Sequence, residues 1–409
     1  MGRPASTPLR IGLYSPFFGS TYGGGEKYLG ATAEALRDAF CGADVEILSP
    51  VPVDVERYER LLGLDLAGVR VRSGNPRPGR LKRHLARVPA LRRARDLAVS
   101  LQAARASADY DLFLSMVYVL PAVTRARRSV ILCQFPYRVR GSGLIRLARR
   151  ALLGREVDDF ELVICQSQYV KRWVRTLWAR DALVVNPPID VPTAEPTWEA
   201  KQPIVLSVGR FFASGHSKRH DIMVQAFRDL CDAGHDGWEL HLAGSLHRDY
   251  AADVEYFERV RRLAEGYPVH VHVDAPRELL HDLYRRASIY WHAAGYGVDG
   301  DVRPAEVEHF GMTTAEAMGW GVVPVAIAMG GQPEVVEDGV SGYLWRDLEE
   351  LRARTVALMG DPELRRRMGV AAARASARFS LAEFRRRMVD AVRPLVEELE
   401  AAGSLRVPG

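Results

Sequence analysis

Two glutamates stand eight positions apart in a run whose residue types suit a phosphorylated ligand, Glu308-His-Phe-Gly-Met-Thr-Thr-Ala-Glu316. Phe310 and Gly311 are expected to open a helix whose unpaired N–H groups, around Gly311 to Thr314, can cradle a phosphate. Glu308 precedes that helix and can face a reacting group, whereas Glu316 lies within its first turns. There a carboxylate can accept hydrogen bonds from a ribose. The run therefore predicts phosphate and ribose recognition at one helix end.

Short apolar runs, separated by segments with helical spacing, must position these residues. In the first half the runs typical of buried parallel strands are Ile11–Tyr14, Val45–Leu48, Leu112–Leu114, Val130–Cys133 and Leu162–Cys165. In the second half they are Ile204–Val208, Glu239–Leu242, Val269–Val273, Ile289–Trp291 and Val322–Ala326. The alternation predicts an α/β chain of two Rossmann-like, doubly wound domains, with ligand binding in a cleft between the carboxyl ends of the two sheets.

A proline-rich stretch separates the two series of runs. Five prolines fall between Asn186 and Pro203, which favours an irregular linker. Apolar residues recur at helical spacing after Leu381. We therefore expect a first domain over 1–188, a linker over 189–203, a second domain over 204–380 and a terminal helix over 381–409.

Composition excludes several classes of protein. The chain has 409 residues, of which 47% are hydrophobic and 26% charged, values that exclude a disordered, collagen-like or coiled-coil chain. The longest weakly polar run, Leu112–Val123, is far shorter than the roughly 18–20 residues of a membrane-spanning helix. The start lacks the apolar core of a secretory signal, so we expect a cytoplasmic protein. No cysteines form a C-x-x-C pair, and we expect reduced thiols.

Positive charge is concentrated in one region. Residues 77–155 contain 18 Lys/Arg and 3 acidic residues, a balance of +15, so the rest of the chain carries −10 of the net +5. Within it, residues 138–153 place arginines between apolar positions at helical spacing, which is typical of a basic amphipathic helix. Such a helix can contact an anionic membrane surface or hold a phosphorylated substrate, or it can be a solvated face. No nucleic-acid-binding signature accompanies the charge, so we expect no nucleic-acid partner.

The run from Glu308 to Glu316, followed by Pro324-Val325 and Gly330-Gly331, resembles the E-x7-E motif of the retaining GT-B glycosyltransferases. That group includes sucrose synthases, phosphatidylinositol mannosyltransferases and dolichol-linked oligosaccharide mannosyltransferases. The resemblance implies the GT-B fold, with two Rossmann-like domains facing across a cleft and a terminal helix crossing back onto the first domain. It also implies that Glu308 contacts the transferred sugar.

Other parts of the chain are similar to the same family. The loop Tyr22-Gly-Gly-Gly-Glu26 resembles its glycine-rich loop after the first strand, and Arg210 with Lys218 resembles its Arg/Lys pair on the leaving diphosphate, although the spacing is longer than usual. The segment around Asp274 to Arg277 resembles the loop that reads the nucleobase. The resemblance therefore implies a set of donor-binding residues: Gly24, Gly25, Asp274, Pro276, Phe310, Gly311, Met312, Thr313 and Glu316.

The chain departs from the family in two places. Gln134 stands where members often carry a histidine close to the sugar, and an amide cannot take up a proton, which puts general-base catalysis there in doubt. The polar, glycine-rich stretch 291–307 is a lid, an acceptor wall or a passive insertion. We expect no metal at its Asp299-Gly-Asp301, because GT-B enzymes generally need none. His270 and His272 alternate along a strand and are interpreted as packed or solvated.

The resemblance implies a retaining glycosyltransferase that needs no cofactor beyond its nucleotide-sugar co-substrate. The catalytic residues would be Glu308, Arg210, Lys218 and Gln134. The donor would be a GDP- or UDP-sugar, with GDP-mannose favoured, and the acceptor lipid-linked or a small molecule. Alternatives are an epimerase or phosphorylase of the same architecture, or a non-catalytic nucleotide-sugar-binding or membrane-associated assembly protein. Peripheral attachment to the inner face of a membrane would use the basic region 77–155.

Overall fold

The computed structural model describes residues 8–73, 101–118, 124–138, 151, 157–190, 192, 195–213 and 215–402. The chain divides into two compact units, Met1–Pro188 with Leu381–Gly409 and Ile189–Ser380. Each unit is built on one parallel sheet, which confirms the α/β prediction. Within the described residues, no helix combines the length and apolarity needed to cross a bilayer. The four cysteines are free thiols, as expected.

The first unit has a seven-stranded sheet in the order β3-β2-β1-β4-β5-β6-β7. Its strands are β1 Arg10–Tyr14, β2 Asp44–Ser49, β3 Arg70–Ser73, β4 Leu112–Val117, β5 Arg128–Cys133, β6 Leu162–Cys165 and β7 Leu183–Val184. Its helices include α1 Gly24–Ala39, α2 Val55–Leu62 and α3 Gln168–Trp178, with a 3-10 turn at Val157–Asp159. The strand order reverses between β1 and β4, the position at which doubly wound sheets bind ligands. The predicted runs are all strands, whereas β3 and β7 were missed because they are short and largely exposed.

The second unit has a six-stranded sheet in the order β10-β9-β8-β11-β12-β13. Its strands are β8 Ile204–Val208, β9 Glu239–Gly244, β10 Val269–Val273, β11 Ile289–His292, β12 Val323–Ile327 and β13 Tyr343–Trp345. Its helices are α4 His220–Asp232, α5 Ala251–Ala264, α6 Arg277–Arg286, α7 Met312–Gly319, α8 Gln332–Val335, α9 Leu348–Gly360 and α10 Pro362–Ser376. Three 3-10 turns occur at Trp198–Ala200, Pro304–Glu306 and Ala377–Phe379. Only β13 lacked an apolar run in the sequence analysis.

Alternation along β9 sorts its side chains between the two faces of the sheet. Leu240 and Leu242 join the buried cluster that contains Phe227 of α4 and Phe257 of α5. Because successive strand residues point to opposite faces, Glu239 and His241 point away from that cluster. This placement leaves polar side chains on one face of an edge region of the sheet.

The proline-rich segment is more ordered than an irregular linker. Residues Trp198–Ala200 form a 3-10 turn, and a Cβ added to Gly321 or Gly369 would lie 2.9 Å or 2.7 Å from the Trp198 ring. The ring therefore packs directly on two glycine backbones of the second unit. The expectation of a segment without any regular element was wrong, because the Trp198 indole, with Pro196 beside it on Gly321, packs the segment against the second unit.

The final helix, α11 Leu381–Ala401, packs within the first unit. The Phe384 ring lies 5.1 Å from the Tyr28 ring of α1, in an edge-to-face arrangement. Arg385 donates to the buried Glu34 carboxylate at 2.7 Å. An apolar stripe and a charge-assisted hydrogen bond therefore hold α11 against α1.

Candidate functional site

Helix α7 begins where the run from Glu308 predicted it. Gly311 caps the helix with φ of 106°, a left-handed conformation that favours glycine. The first intrahelical bond runs from the Ala315 N–H to the Gly311 carbonyl at 3.1 Å, so the preceding amides of the helix have no partner within it. The Tyr290 hydroxyl lies 2.7 Å from Thr313 Oγ1 and 3.3 Å from the Val208 carbonyl oxygen. These contacts tie the helix N-terminus to the carboxyl end of β8.

The Glu308 carboxylate is held by two groups from distant parts of the second unit. Lys218 Nζ donates to Glu308 Oε2, and His292 Nε2, at the end of β11, lies 3.2 Å from the same oxygen. Burial acts to raise the pKa of Glu308, but the Lys218 ammonium and the His292 hydrogen bond outweigh it and hold that pKa well below its usual range. Burial also lowers the pKa of His292, which is therefore neutral at pH 7 and donates its Nε2–H. Glu308 is thus an anion over the whole physiological pH range.

Gly330 and Gly331 support the backbone that carries Glu308. A Cβ added to Gly330, whose φ is +61°, would lie 1.9 Å from the Glu308 carbonyl oxygen, and one on Gly331 would lie 2.4 Å from that of His309. The Gly331 N–H donates to the Glu308 carbonyl at 2.8 Å. Only glycine permits so close an approach. The glycine pair therefore fixes the position of the Glu308 backbone.

Lys218 and Arg210 differ in how firmly the fold holds them. A Cβ on Gly209 would lie 2.5 Å from Lys218 Cγ, so the lysine stem packs directly against the end of β8. Arg210 is exposed, with its guanidinium carbon 5.6 Å from the centre of the Phe212 ring. Burial lowers the pKa of His216 to about 4. The charges of Lys218 and Arg210 also lower this pKa, whereas the Glu308 charge raises it. The structure thus brings Arg210, Lys218 and Glu308 together around a neutral histidine.

Glu316 and Phe310 occupy opposite kinds of environment. Glu316 Oε2 lies 3.3 Å from the Tyr284 hydroxyl, which orients the carboxylate beside the first turns of α7. The Phe310 ring is buried at 1% exposure and packs edge-to-face on Phe379, with ring centres 5.0 Å apart. The Phe310 ring is therefore part of the core, so only its backbone is available to a donor ligand. The predicted contribution of Phe310 to donor binding concerns its backbone at the start of α7 and stays a prediction.

Asp274 and Pro276 form the loop between β10 and α6. Asp274 adopts a left-handed φ of 53°, and its N–H donates to the Gly244 carbonyl at 2.9 Å. Its carboxylate accepts from the Leu246 N–H at 3.3 Å and from Arg248 at 2.6 Å. Pro276 caps α6. The loop therefore has a defined backbone at the carboxyl ends of β9 and β10, although its role as a nucleobase reader stays a prediction.

Gly24 and Gly25 lie in the first unit and are helical. Helix α1 begins at Gly24, and the Gly23 N–H donates to the Glu26 side chain at 2.9 Å. A Cβ on Gly25 would meet only Met116 Sδ at 3.8 Å, an ordinary contact. The expectation of a glycine loop at these two positions was therefore wrong, since both contribute backbone amides of a helix N-terminus instead.

Gln134 also belongs to the first unit and follows β5. Its N–H donates to the Val117 carbonyl and its carbonyl accepts from Gln166 Nε2, each at 2.9 Å. These backbone bonds fix the residue at the carboxyl end of the sheet, close to where the strand order reverses. Its assignment as a catalytic residue stays a prediction.

Asp299, one of the two aspartates in the stretch 291–307, stabilises a local turn. Asp299 Oδ1 accepts from the Asp301 N–H at 2.9 Å and from the Val302 N–H at 3.2 Å. This is the behaviour of an aspartate that stabilises a turn. Much of the basic region 77–155 lies outside the described residues.

Several residues that shape this site were not singled out from the sequence. His292 and Tyr290 lie on β11, and Tyr284 lies on α6, so their contacts with Glu308, Thr313 and Glu316 depend on packing between elements. Gly330 was quoted as part of a run but not assigned a role. A polar residue at the end of a predicted strand, as His292 is, was the one available signal.

Comparison with known proteins shows that much of the second unit is similar to glycosyltransferases. Residues 193–375 match the family model described as "Glycosyl transferases group 1". A D-inositol 3-phosphate glycosyltransferase of Streptomyces griseus is 39% identical over 114 residues, which are 27% of this chain and 22% of that protein. A GDP-Man:Man(3)GlcNAc(2)-PP-Dol alpha-1,2-mannosyltransferase of Dictyostelium discoideum is 24% identical over 258 residues, which are 58% of this chain and 48% of that protein. The chain spans about half, or less, of these relatives.

Among solved structures, Anabaena HepE in complex with UDP and glucose superposes with a TM-score of 0.64. The likeness covers 94% of this chain and 100% of that one, at 18% sequence identity. At this low sequence identity, the superposition is evidence for the fold only. It extends over both units described above.

Proposed function

Because residues 193–375 belong to the group 1 glycosyl transferases and the chain has the GT-B fold, we propose that the protein is a hexosyltransferase. It transfers the hexosyl group from a nucleotide-diphosphate sugar to a hydroxyl acceptor, with retention of anomeric configuration. The observation that carries the proposal is the Glu308 carboxylate, held ionised by Lys218 and His292 directly before the N-terminus of α7. This arrangement suits a sugar phosphate, because the carboxylate can accept from sugar hydroxyls while the helix N-terminus binds the phosphate.

In this proposal, different residues bind the diphosphate, the ribose and the transferred sugar of the donor. The amides of Met312 and Thr313, with the cations of Arg210 and Lys218, receive the diphosphate. Glu316 accepts from the ribose hydroxyls, since Tyr284 already orients its carboxylate. Glu308 accepts from a hydroxyl of the transferred sugar. Its depressed pKa means that it orients the sugar and stabilises positive charge developing there, and does not donate a proton.

Departure of the nucleoside diphosphate would place growing negative charge on the β-phosphate. Lys218 has three N–H donors and uses one toward Glu308, so the others can meet that charge without a large movement. No carboxylate nucleophile is assigned; we propose that the acceptor attacks on the face from which the phosphate leaves. In that step the C–O bond to the phosphate breaks, the acceptor oxygen bonds to the anomeric carbon, and the departing phosphate takes the acceptor proton.

The identity of the donor is the finer part of the proposal. The Glu-His-Phe-Gly run favours GDP-mannose, and the Dictyostelium relative is named for GDP-Man. A UDP-hexose is the alternative, and the Anabaena structure contains UDP and glucose. We propose a GDP- or UDP-hexose, with GDP-mannose tested first.

Calorimetric titration tests the donor site. UDP, GDP, ADP and their common sugar conjugates are titrated into the full chain and into Glu316→Ala, with Glu363→Ala as a control on the exposed start of α10. Loss of hydrogen bonds to a charged group predicts binding about 10–100-fold weaker for Glu316→Ala and unchanged for the control. Binding of none of the nucleotides would contradict the proposal. Selective binding without any turnover of the sugar conjugate would favour the non-catalytic alternative.

The acceptor side rests on sequence charge alone. We propose a lipid-linked or small-molecule acceptor, with the basic region 77–155 contacting an anionic membrane surface. Sedimentation with vesicles containing anionic lipid compares wild type with a triple variant, Arg146→Glu, Arg149→Glu and Arg150→Glu. We expect less of the variant than of the wild type to sediment with the vesicles. Equal sedimentation of the two proteins, or no sedimentation of the wild type, would reject the membrane contact.

A further inference from the structure

Four polar side chains share one face of the second sheet at its edge. β9 and β10 pair in parallel, with His270 opposite His241 and His272 opposite Ala243. Since side chains alternate along each strand, Glu239, His241, His270 and His272 project from the same face. The opposite face of β9 carries the leucines of the buried core. Three imidazoles and a carboxylate are therefore collected on one face at the edge of the sheet.

Three of these side chains have ligand atoms at the separations that a metal ion requires. Glu239 Oε2 lies 3.0 Å from His241 Nε2 and 3.5 Å from His270 Nε2. Ligand atoms about 2.0–2.1 Å from a tetrahedral zinc ion lie about 3.3 Å from one another. One ligand atom from each of the three residues lies within 4.8 Å of the other two. Among the residues that the structure describes, this is the one group of three or more such side chains. The separations of 3.0 Å and 3.5 Å from Glu239 Oε2 are close to that value, so one ion could reach all three ligand atoms.

His272 supplies the contact that orients the central ligand. Its Nε2 lies 3.0 Å from His241 Nδ1, on the side of the ring opposite the carboxylate. When the His241 Nδ1–H donates to His272, the lone pair of His241 Nε2 faces Glu239 and His270. In that tautomer the Glu239 carboxylate and the His241 lone pair, 3.0 Å apart, both face the position that a cation would occupy. A metal-ligating histidine usually donates its other ring N–H to a hydrogen-bond acceptor, as His241 does here to His272 in this tautomer.

Burial differs among the ligands in the way that an accessible metal site requires. His241 is buried, with 6% of its surface exposed. The side chains of Glu239 and His270 are about half exposed, at 49% and 48%. An ion can therefore enter from solvent, lodge against a fixed imidazole and keep a water molecule in its fourth position.

We propose that Glu239, His241 and His270 form a binding site for a divalent transition metal of the zinc class, with His272 as a positioning residue. The ligands lie toward the amino-terminal ends of β9 and β10, whereas Gly209, Asp274 and α7 follow the carboxyl ends of the strands. The ion would thus join the edge strand to its neighbour and stabilise the sheet, without a part in sugar transfer. This revises the interpretation of His270 and His272 as merely packed or solvated, and it is independent of the proposed function.

The probe is zinc ion itself, titrated calorimetrically into the full, untagged chain. Wild type is expected to bind one equivalent and to unfold at a higher temperature in excess zinc, because binding to the native state alone raises stability. His270→Ala, a substitution at a half-exposed position, is expected to leave the metal-free unfolding temperature unchanged and to weaken binding at least about 100-fold. His235→Ala, which removes a histidine from a turn outside the cluster, is the control and should match wild type.

His272→Leu separates a positioning role from a ligand role. It is expected to weaken zinc binding about 10–100-fold while the cobalt-substituted protein keeps the visible absorption of a tetrahedral ion. A wild-type chain that binds no zinc, or a His270→Ala chain that binds it as tightly as wild type, would overturn the proposal.

Discussion

His220 is expected to make the second unit sensitive to acid. It is the first residue of α4, has no exposed surface and packs on Phe211 with ring centres 4.5 Å apart. Among the described residues, neither of its ring nitrogens has a hydrogen-bond partner. Burial, with the Lys218 charge, lowers the pKa of His220 to about 3. The positive end of the helix dipole acts in the same direction.

The size of the effect follows from linkage. An unfolded histidine has a pKa of about 6.5, so between that value and about 3 the unfolded state binds a proton that the folded state does not. Folding is therefore favoured at neutral pH and loses stability as the pH falls. Between pH 7.5 and pH 5 the loss from this one residue amounts to about 2 kcal/mol.

Urea unfolding at a series of pH values measures this loss. The difference in free energy of unfolding between His220→Phe and wild type should shift in favour of the variant by about 2 kcal/mol from pH 7.5 to pH 5. Any packing cost of the larger ring displaces the whole curve and leaves this change with pH intact. His235→Phe, in a turn, is the control and should run parallel to wild type. Parallel curves for His220→Phe and wild type would refute the argument that His220 is buried in its neutral form.

Two further predictions concern the surroundings of Glu308. Gly330→Ala combines a left-handed φ with a clash against the Glu308 carbonyl, whereas Gly339→Ala has a similar φ of +76° and open space. In urea unfolding, we expect Gly339→Ala to lose about 1–2 kcal/mol of stability because of its backbone conformation. Gly330→Ala should lose about 1–3 kcal/mol more because of the clash. Equal losses for the two variants would contradict the close contact. Lys218→Gln should weaken nucleoside diphosphate binding about 10–100-fold in calorimetry, with Lys171→Gln as control, and unchanged affinity would remove Lys218 from the site.

Apolar runs allowed the strands of both sheets to be located from the sequence. Runs such as Ile204–Val208 and Leu162–Cys165 coincide with β8 and β6, because strands buried on both faces need continuous apolar residues. The same rule misses β3, whose alternating Arg70-Val-Arg-Ser73 is mostly exposed. An exposed edge strand such as β3 carries little apolar signal and becomes evident only when β2 pairs with it. The edge strand β10 was predicted because valine recurs at every second position.

Helix α7 was also accessible to sequence reasoning. Gly311 before a helical run marks its start, and Glu308 and Glu316 bracket that start at a fixed spacing. Local geometry decides such a feature, since the helix, its cap and both glutamates lie within the twelve consecutive residues 308–319. The positions of these groups relative to one another therefore follow from the sequence alone.

Tertiary structure alone decided the state of those groups and the partners they meet. Glu308 is ionised because Lys218, 90 positions earlier, and His292, at the end of another strand, reach its carboxylate. Alternation placed His270 and His272 on one face of a strand, but only the register of β10 against β9 sets His270 opposite His241. Sequence periodicity fixes which way a side chain points, whereas the pairing of distant segments determines which groups it meets and hence its charge and chemistry.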